Sequence, residues 1–191
     1  MRFSPPSPPS PIKGEGTEYR PSSTGGEGVE RPCTRVFRDP VHFLALGFGF
    51  GCAPKAPGTF GTLAAIPLYL LMQPLPLWIY LLLTVAGFAL GVWVCDRAAR
   101  DLGVHDHPAI VWDEVIGYFV TMIAPPPGWL WIVVGFGLFR LFDILKPWPI
   151  RQADQRVGGG FGIMFDDLLA AGYAWLVLQG MAYGAVLLDI S

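Results

Sequence analysis

Charged residues are scarce in this sequence. Asp, Glu, Lys and Arg make up 15% of its 191 residues, whereas soluble globular domains contain about 25%. The chain is 52% hydrophobic, with a mean hydropathy of +0.46. It also lacks a basic excess, because the formal net charge is −2, and nucleic-acid binding requires a positively charged face. The composition therefore favours a membrane protein and predicts no nucleic-acid partner.

Cysteine is rare as well, and its spacing lacks the pattern of a metal site or a disulfide framework. Cys33, Cys52 and Cys95 are odd in number, and no CxxC pair occurs. We expect all three to be unreactive thiols. The glycine-rich run 47–62 lacks the G-x-x-x-x-G-K-[ST] pattern, so no P-loop nucleotide site is predicted.

The N-terminal segment has almost no apolar residues. Residues 1–38 contain seven Pro, five Gly and five Ser, and no apolar run typical of a secretory signal. Such a composition buries too little surface to offset the entropy of an ordered chain. We therefore predict a disordered tail over residues 1–40 and a single helical domain over residues 41–191.

Long windows without any charge follow in that domain. They cover residues 56–95, 115–139 and 168–188. A helix that crosses the hydrocarbon core of a bilayer needs about 20 apolar residues. The third window contains no proline, so it can cross alone.

Proline clusters interrupt the first two windows, at residues 73–76 and 125–128. Because proline disrupts a helix interior and clustered Pro with Gly favours a turn, each window is predicted to form a helical hairpin. The predicted arms are 60–72 with 77–95, and about 111–123 with 129–145. The fold class is then an all-α, membrane-embedded bundle of helical hairpins with its polar residues on one face. All seven basic residues after Val41 fall on that face, and the positive-inside tendency places it in the cytoplasm.

The remaining charges form short clusters. Arg140, Asp143 and Lys146 follow an i, i+3, i+6 spacing, which places them on one side of a helix that Pro147 ends. An aspartate between two cations is also typical of a self-satisfied surface pair. In a chain with so few charges beside a membrane, we favour a functional role.

Two pairs of adjacent carboxylates stand at predicted helix starts. Asp113 and Glu114 precede the second charge-free window, and Asp166 and Asp167 follow the glycine-rich stretch 158–162, interpreted as a loop that approaches a ligand. The helix dipole favours carboxylates in a first turn, but carboxylate oxygens are also the ligands that Mg²⁺ prefers. We favour Mg²⁺ for Asp166 and Asp167. A zinc site at His105 and His107 has weaker support, since no cysteine accompanies them.

Cations and small residues accompany these carboxylates. The run 47–62 offers small residues, a lysine, two hydroxyls and a helix N-terminus at about Thr59–Gly61, which is what a phosphate cradle needs. Carboxylates that hold a divalent cation, beside cations that bind a phosphate, indicate metal-assisted phosphoryl chemistry. The predicted phosphate-binding residues are Lys55, Thr59, Arg140, Lys146, Arg151 and Arg156.

Four segments in order resemble the phosphatidylglycerophosphatase A family: 47–62, 104–117, 139–150 and 159–167. The resemblance covers about residues 43–188. It implies an all-helical, Mg²⁺-dependent phosphatase of the bacterial inner membrane, with its active face in the cytoplasm. Its substrate would be a phospholipid in the bilayer, phosphatidylglycerophosphate, whose terminal phosphate is removed to give phosphatidylglycerol.

With this resemblance, the hypothesised catalytic residues are Asp113, Glu114, Asp143, Asp166 and Asp167, and all but Asp143 are assigned to Mg²⁺. Either water activated at the metal or an aspartate nucleophile would attack phosphorus, and the sequence does not choose between them.

Signatures of other phosphoryl-transfer families are missing, namely D-x-D-x-[TV], P-S-G-H and D-G-x-x-A-R. The alternative from another class is a membrane transporter or ion-conducting subunit with a cytoplasmic charged face. The sequence leaves the oligomeric state open.

Overall fold

The computed structural model describes residues 32–104 and 107–187. Within these ranges the chain is helical and contains no strand. A 3₁₀ helix, Gly47–Cys52, connects α2 to α3. The α-helices are α1 (Pro32–Arg35), α2 (Pro40–Ala45), α3 (Pro57–Met72), α4 (Leu77–Leu102), α5 (Trp112–Thr121), α6 (Trp129–Leu145), α7 (Ile150–Arg156) and α8 (Gly159–Leu187).

Both predicted proline turns are confirmed. The first connects α3 to α4, and the second connects α5 to α6. The arms of the first hairpin are not each other's main partners, however, because α3 packs chiefly against α5 and the 3₁₀ helix, while α4 packs chiefly against α8. The bundle is therefore held together by contacts between hairpins.

Helix α8 lies at the centre of the bundle and packs against α4, α5, α6 and α7. The sequence predicts a ligand-binding loop over the glycine-rich stretch 158–162, and this prediction is wrong because α8 already begins at Gly159. Gly160 is helical and lies so close to α4 that a Cβ would collide with the carbonyl oxygen of Val92. Its N–H donates to Oδ1 of Asp96 at 3.1 Å. The glycines thus allow two helix backbones to approach each other closely.

Among the described helices, two have the length and composition of membrane spans. They are Leu77–Leu102, which contains an 18-residue segment with a mean hydropathy of 2.1, and Gly159–Leu187, which contains one with a mean hydropathy of 1.5. The second of these covers residues 168–187 of the crossing expected over 168–188 and begins earlier than predicted. This architecture fits a helical membrane bundle.

One end of the bundle holds both proline turns. Trp175 Nε1 and Gln179 Nε2, both from α8, donate to the carbonyl oxygen of Ile123 at 2.9 and 3.0 Å. The hydroxyl of Tyr80 donates to the carbonyl oxygen of Phe119 at 2.6 Å. The polar stretches between helices consequently meet at the opposite end, as the hairpin prediction requires.

The structure corrects the prediction for two cysteines. Cys33 and Cys52 form a disulfide, with Cα atoms 5.7 Å apart, because the short helix α1 lies beside the 3₁₀ helix. Cys95 is buried and lies outside this disulfide, and its Sγ donates a hydrogen bond to Sδ of Met164 at 3.9 Å. The folded part also begins before residue 41, since Val36 is only 1% exposed. Residues 1–31, which make up most of the predicted tail, lie outside the described residues.

Candidate active site

A cavity of about 370 Å³ opens at the polar end of the bundle. The start of α3, the start of α5, the last turns of α6 and the third turn of α8 form its walls, so residues distant in sequence converge there. Its lining residues are Ala56, Pro57, Gly58, Pro108, Ile110, Asp113, Glu114, Arg140, Asp143, Ile144, Lys146, Ile163, Asp166 and Asp167.

Three carboxylates meet inside this cavity. Asp113 and Glu114 come from the first turn of α5, as predicted, and Asp167 comes from α8. One oxygen of each lies within 4.8 Å of the other two. Oε2 of Glu114 and Oδ2 of Asp167 are buried and have no hydrogen-bond partner. Because Mg²⁺ takes oxygen ligands in an octahedral arrangement, these three residues fit the cation that the sequence predicts.

The electrostatics of the cavity also favour a cation. Five carboxylates and two basic side chains line it, an excess of three negative charges when all are ionised. Burial, together with the neighbouring carboxylates of Asp167 and Asp143, raises the pKa of Glu114 to about 8. A bound divalent cation would offset this repulsion.

The basic side chains lie on the wall formed by α6. Arg140 Nη1 lies 2.5 Å from Oδ2 of Asp143 and 3.7 Å from Oε1 of Glu114. Lys146, which ends α6 in a left-handed conformation, donates from Nζ to Asp154 at 2.9 Å and to Asp166 at 2.6 Å. These carboxylate partners raise the pKa of Lys146 although burial lowers it. The raised pKa keeps Lys146 cationic, and neighbouring carboxylates hold both basic side chains in place.

The start of α3 approaches the Glu114–Arg140 pair without any side chain between them. A Cβ on Gly58 would collide with Oε1 of Glu114 and would lie 3.0 Å from Nη1 of Arg140. Any larger residue at this position would displace the carboxylate of Glu114. The proximity of a helix N-terminus adds positive potential to this wall of the cavity.

Asp166 and Asp167 differ in their surroundings. Both were predicted at the start of the last helix, but α8 begins at Gly159, so they lie in its third turn and the helix dipole does not explain them. Asp167 joins the three-carboxylate group, whereas Asp166 accepts a hydrogen bond from Lys146. The assignment of Asp166 to the metal stays a prediction.

Comparison with known proteins identifies the family of the chain. The model of the family described as Phosphatidylglycerophosphatase A matches residues 43–182. The chain belongs to the phosphatidylglycerophosphatase A family. It is accordingly an enzyme, a hydrolase of phosphoric monoesters, which disfavours the transporter alternative.

Two curated relatives carry the name of this family, and a third carries the name of another lipid phosphatase. A phosphatidylglycerophosphatase A of Escherichia coli strain K12 is 51% identical over 133 residues, which cover 69% of this chain and 77% of the relative. One from Haemophilus influenzae is 48% identical over 147 residues, covering 76% and 90%. A Bacteroides thetaiotaomicron protein, provisionally named as a phosphatidylinositol-3-phosphatase, is 36% identical over 143 residues, covering 71% and 89%. No solved structure matches the chain.

Several predicted phosphate ligands of this phosphatidylglycerophosphatase A family member lie away from the cavity. Among the described residues, the cavity lining does not include Lys55, Thr59, Arg151 or Arg156. Lys55 is exposed before α3, and both arginines are exposed on α7. Arg140 and Lys146 are the predicted cations that the fold brings to the carboxylates.

Two residues that contribute to the site have no role predicted from the sequence. Gly58 belongs to the predicted phosphate cradle 47–62, but no sequence signal indicates its contact with Glu114. Asp154 is exposed on α7, yet it pairs with Lys146.

The two histidines of the weaker zinc prediction have no part in the described cavity lining. His105 lies outside the described residues, and Nδ1 of His107 accepts a hydrogen bond from the N–H of Ala109 at 3.1 Å.

Proposed function

We propose that this chain hydrolyses the terminal phosphate monoester of phosphatidylglycerophosphate to phosphatidylglycerol and inorganic phosphate, in a Mg²⁺-dependent reaction. One observation carries the proposal: three carboxylates, two of them on buried residues, and two cations converge in one open cavity. The names of the Escherichia coli and Haemophilus influenzae relatives support this lipid as the substrate.

The residues that would hold Mg²⁺ are Asp113, Glu114 and Asp167. When bound, the cation would neutralise charge on the phosphate and make a water more nucleophilic. Two carboxylate oxygens without a hydrogen-bond partner support this assignment, because burying them unpaired is costly unless a cation compensates.

The basic residues would bind and orient the phosphate. The guanidinium of Arg140 matches phosphate geometry, and Asp143 holds it against the cavity wall. Lys146 supplies a point charge, positioned by Asp154 and Asp166 from two other helices. Interactions with the charge that develops on phosphoryl oxygens in the transition state are the main way in which such sites accelerate phosphoryl transfer.

A phosphate-release assay tests the proposal. The purified protein in detergent receives Mg²⁺ and phosphatidylglycerophosphate, and inorganic phosphate is measured. We expect release that EDTA stops and that excess Mg²⁺ restores. Phosphatidylinositol 3-phosphate is assayed in parallel because of the Bacteroides relative. A higher kcat/KM for that lipid would contradict the proposed substrate, and release undiminished by EDTA would contradict the metal.

We further propose that α4 and α8 cross the bacterial inner membrane and that the cavity faces the cytoplasm. All seven basic residues after Val41 lie in the polar stretches, away from the proline turns, which supports this orientation. The Cys33–Cys52 disulfide argues for the opposite one, because it lies in the segment that leads to the cavity and disulfides persist mainly in oxidising compartments.

Labelling of the far turns decides the orientation. Gln73→Cys and Pro127→Cys each place an exposed thiol at a turn. We expect a membrane-impermeant maleimide to label both variants in intact cells and not to label the wild-type chain. Labelling only after the cells are broken would contradict a cytoplasmic cavity.

A further inference from the structure

The last turns of α6 carry an exposed apolar surface. Leu141, Ile144 and Leu145 follow an i, i+3, i+4 spacing and share one face of the helix. Trp148 follows directly after the helix. Ile144 is 67% exposed, Leu145 66% and Trp148 72%. We call these four residues the apolar lip.

The apolar lip is continuous with the active-site cavity. Ile144 lines the cavity and is also mostly exposed outside it. Its sequence neighbour Asp143 lies on the inner side of the same helix, where it holds Arg140. One helix end therefore presents charged groups to the cavity and apolar groups to its mouth.

We propose that the apolar lip binds the acyl-chain end of the phospholipid substrate while the phosphate monoester occupies the cavity. This inference rests on the proposed function. The charged groups lie inside the cavity, so the rest of a bound lipid must leave through the mouth, where Ile144 lies. Apolar side chains stabilise acyl chains there by removing them from water, and Trp prefers the boundary between apolar chains and polar headgroups.

The opposite end of α6 provides a matched control. Trp129 is 75% exposed and Leu130 is 55% exposed, close to the values for Trp148 and Ile144. These two residues border an apolar cavity formed with the second proline turn and the end of α8, far from the carboxylates. If substitution of any exposed apolar residue changed the kinetics, substitutions at both ends of α6 would have the same effect. Loss of substrate contact would affect only the variants of the apolar lip.

Steady-state kinetics in mixed micelles test the proposal. The variants are Ile144→Ser and Trp148→Ala, with Leu130→Ser and Trp129→Ala as controls. The substrate is dioleoyl phosphatidylglycerophosphate, and its deacylated headgroup serves as a competitive inhibitor. For both lip variants we expect KM to rise about tenfold, with kcat and the Ki of the headgroup within about twofold of wild type. Trp148→Phe should restore KM, and neither control should change it.

Other outcomes overturn the proposal. An unchanged KM in the lip variants would mean that the apolar lip only contacts the bilayer. A Ki that rises in parallel with KM would mean that the variants disturb the cavity itself. A wild-type dimer, seen by light scattering and lost in Ile144→Ser with KM unchanged, would assign the lip to a second copy of the chain.

Failure of the proposed function is recognised separately. Retention of radiolabelled dioleoyl phosphatidylglycerophosphate by the EDTA-treated protein is measured without turnover. In one outcome the wild type releases no phosphate but retains this lipid, and the lip variants retain it at least about fivefold more weakly than the controls. This result would support acyl-chain binding by the apolar lip and would contradict only the proposed reaction. Equal retention by the lip variants and the controls would contradict acyl-chain binding by the apolar lip.

Discussion

Nζ of Lys146 lies 2.6 Å from Oδ2 of Asp166, and this ion pair connects the end of α6 to the third turn of α8. Consecutive residues of a helix point about 100° apart. Asp167 consequently faces the carboxylates of α5 while Asp166 faces Lys146. Adjacent aspartates therefore have different surroundings, and their substitutions should have different kinetic effects.

Asp167→Asn should lower kcat/KM by about two orders of magnitude or more. The amide removes one negative charge from the three-carboxylate group, so half-maximal activity should also need a higher Mg²⁺ concentration. Phosphate release measured over a Mg²⁺ titration checks both effects. Wild-type activity and an unchanged Mg²⁺ response would contradict the metal assignment.

Asp166→Asn should act mainly on substrate binding. The amide keeps an acceptor oxygen but removes the negative charge 2.6 Å from Lys146, which leaves Asp154 as its described ionic partner, so the ammonium is positioned less well. We expect KM to rise several-fold and the Mg²⁺ dependence to stay close to that of the wild type. A Mg²⁺ response shifted as far as in Asp167→Asn would show instead that Asp166 is a metal ligand.

Gly58→Ala should impair catalysis more than folding. The added Cβ collides with Oε1 of Glu114, the end of a flexible side chain, which can move at little cost in stability. Because a displacement of about 1 Å can cost a hundredfold in rate, we expect a loss of that order in kcat/KM with a Tm near the wild-type value. Gly172→Ala is the control, since nothing lies within 4 Å of its Cβ, and it should retain activity.

Gly160→Ala should impair folding first. Its Cβ collides with the backbone oxygen of Val92 and lies 2.5 Å from Cβ of Asp96, so α4 and α8 must separate. Overpacking of this kind costs about 1–3 kcal/mol. Thermal unfolding in detergent should show a clear fall in Tm, and Gly180→Ala, whose Cβ meets nothing within 4 Å, should show none.

Stability without metal should depend on pH through Glu114. Its pKa is raised from 4.5 to about 8, so the folded state binds its proton more tightly than the unfolded state. The contribution of Glu114 to the free energy of unfolding is then largest below about pH 4.5 and is lost as the pH rises through about 8. Tm of the EDTA-treated protein should fall between pH 5 and 8.

Mg²⁺ should reverse this trend, because it binds the ionised carboxylates. The rise in Tm on adding Mg²⁺ should be larger at pH 8 than at pH 5, and Glu114→Gln should flatten the pH dependence. Equal Tm shifts at both pH values would count against a metal held by these carboxylates.

Features that depend on local chemistry could be predicted from the sequence. Proline clusters determine where the chain turns, so both hairpin turns are where the sequence predicts them. Asp113 and Glu114 stand at the start of α5 as predicted. Arg140, Asp143 and Lys146 lie on one side of a helix end because their spacing alone determines it.

Features that depend on packing could not be predicted. Gly160 looks like a loop glycine in the sequence, and only the proximity of Val92 shows that it serves helix contact. The spacing of Cys33 and Cys52 carries no information about their proximity. Lys55 accompanies the predicted cradle, but its position outside the cavity depends on how the chain enters α3.

The candidate site is complete only when α8 docks. Asp113 and Glu114 precede Asp167 by about fifty residues in the chain, and the helix that carries Asp167 is the last one to leave the ribosome among those described. A nascent chain that stops before α8 therefore has two carboxylates of the three-carboxylate group and, of the two described partners of Lys146, only Asp154. Catalytic competence would thus begin only once α8 has been synthesised and has docked, and fragments that end before α8 would be inert toward lipid.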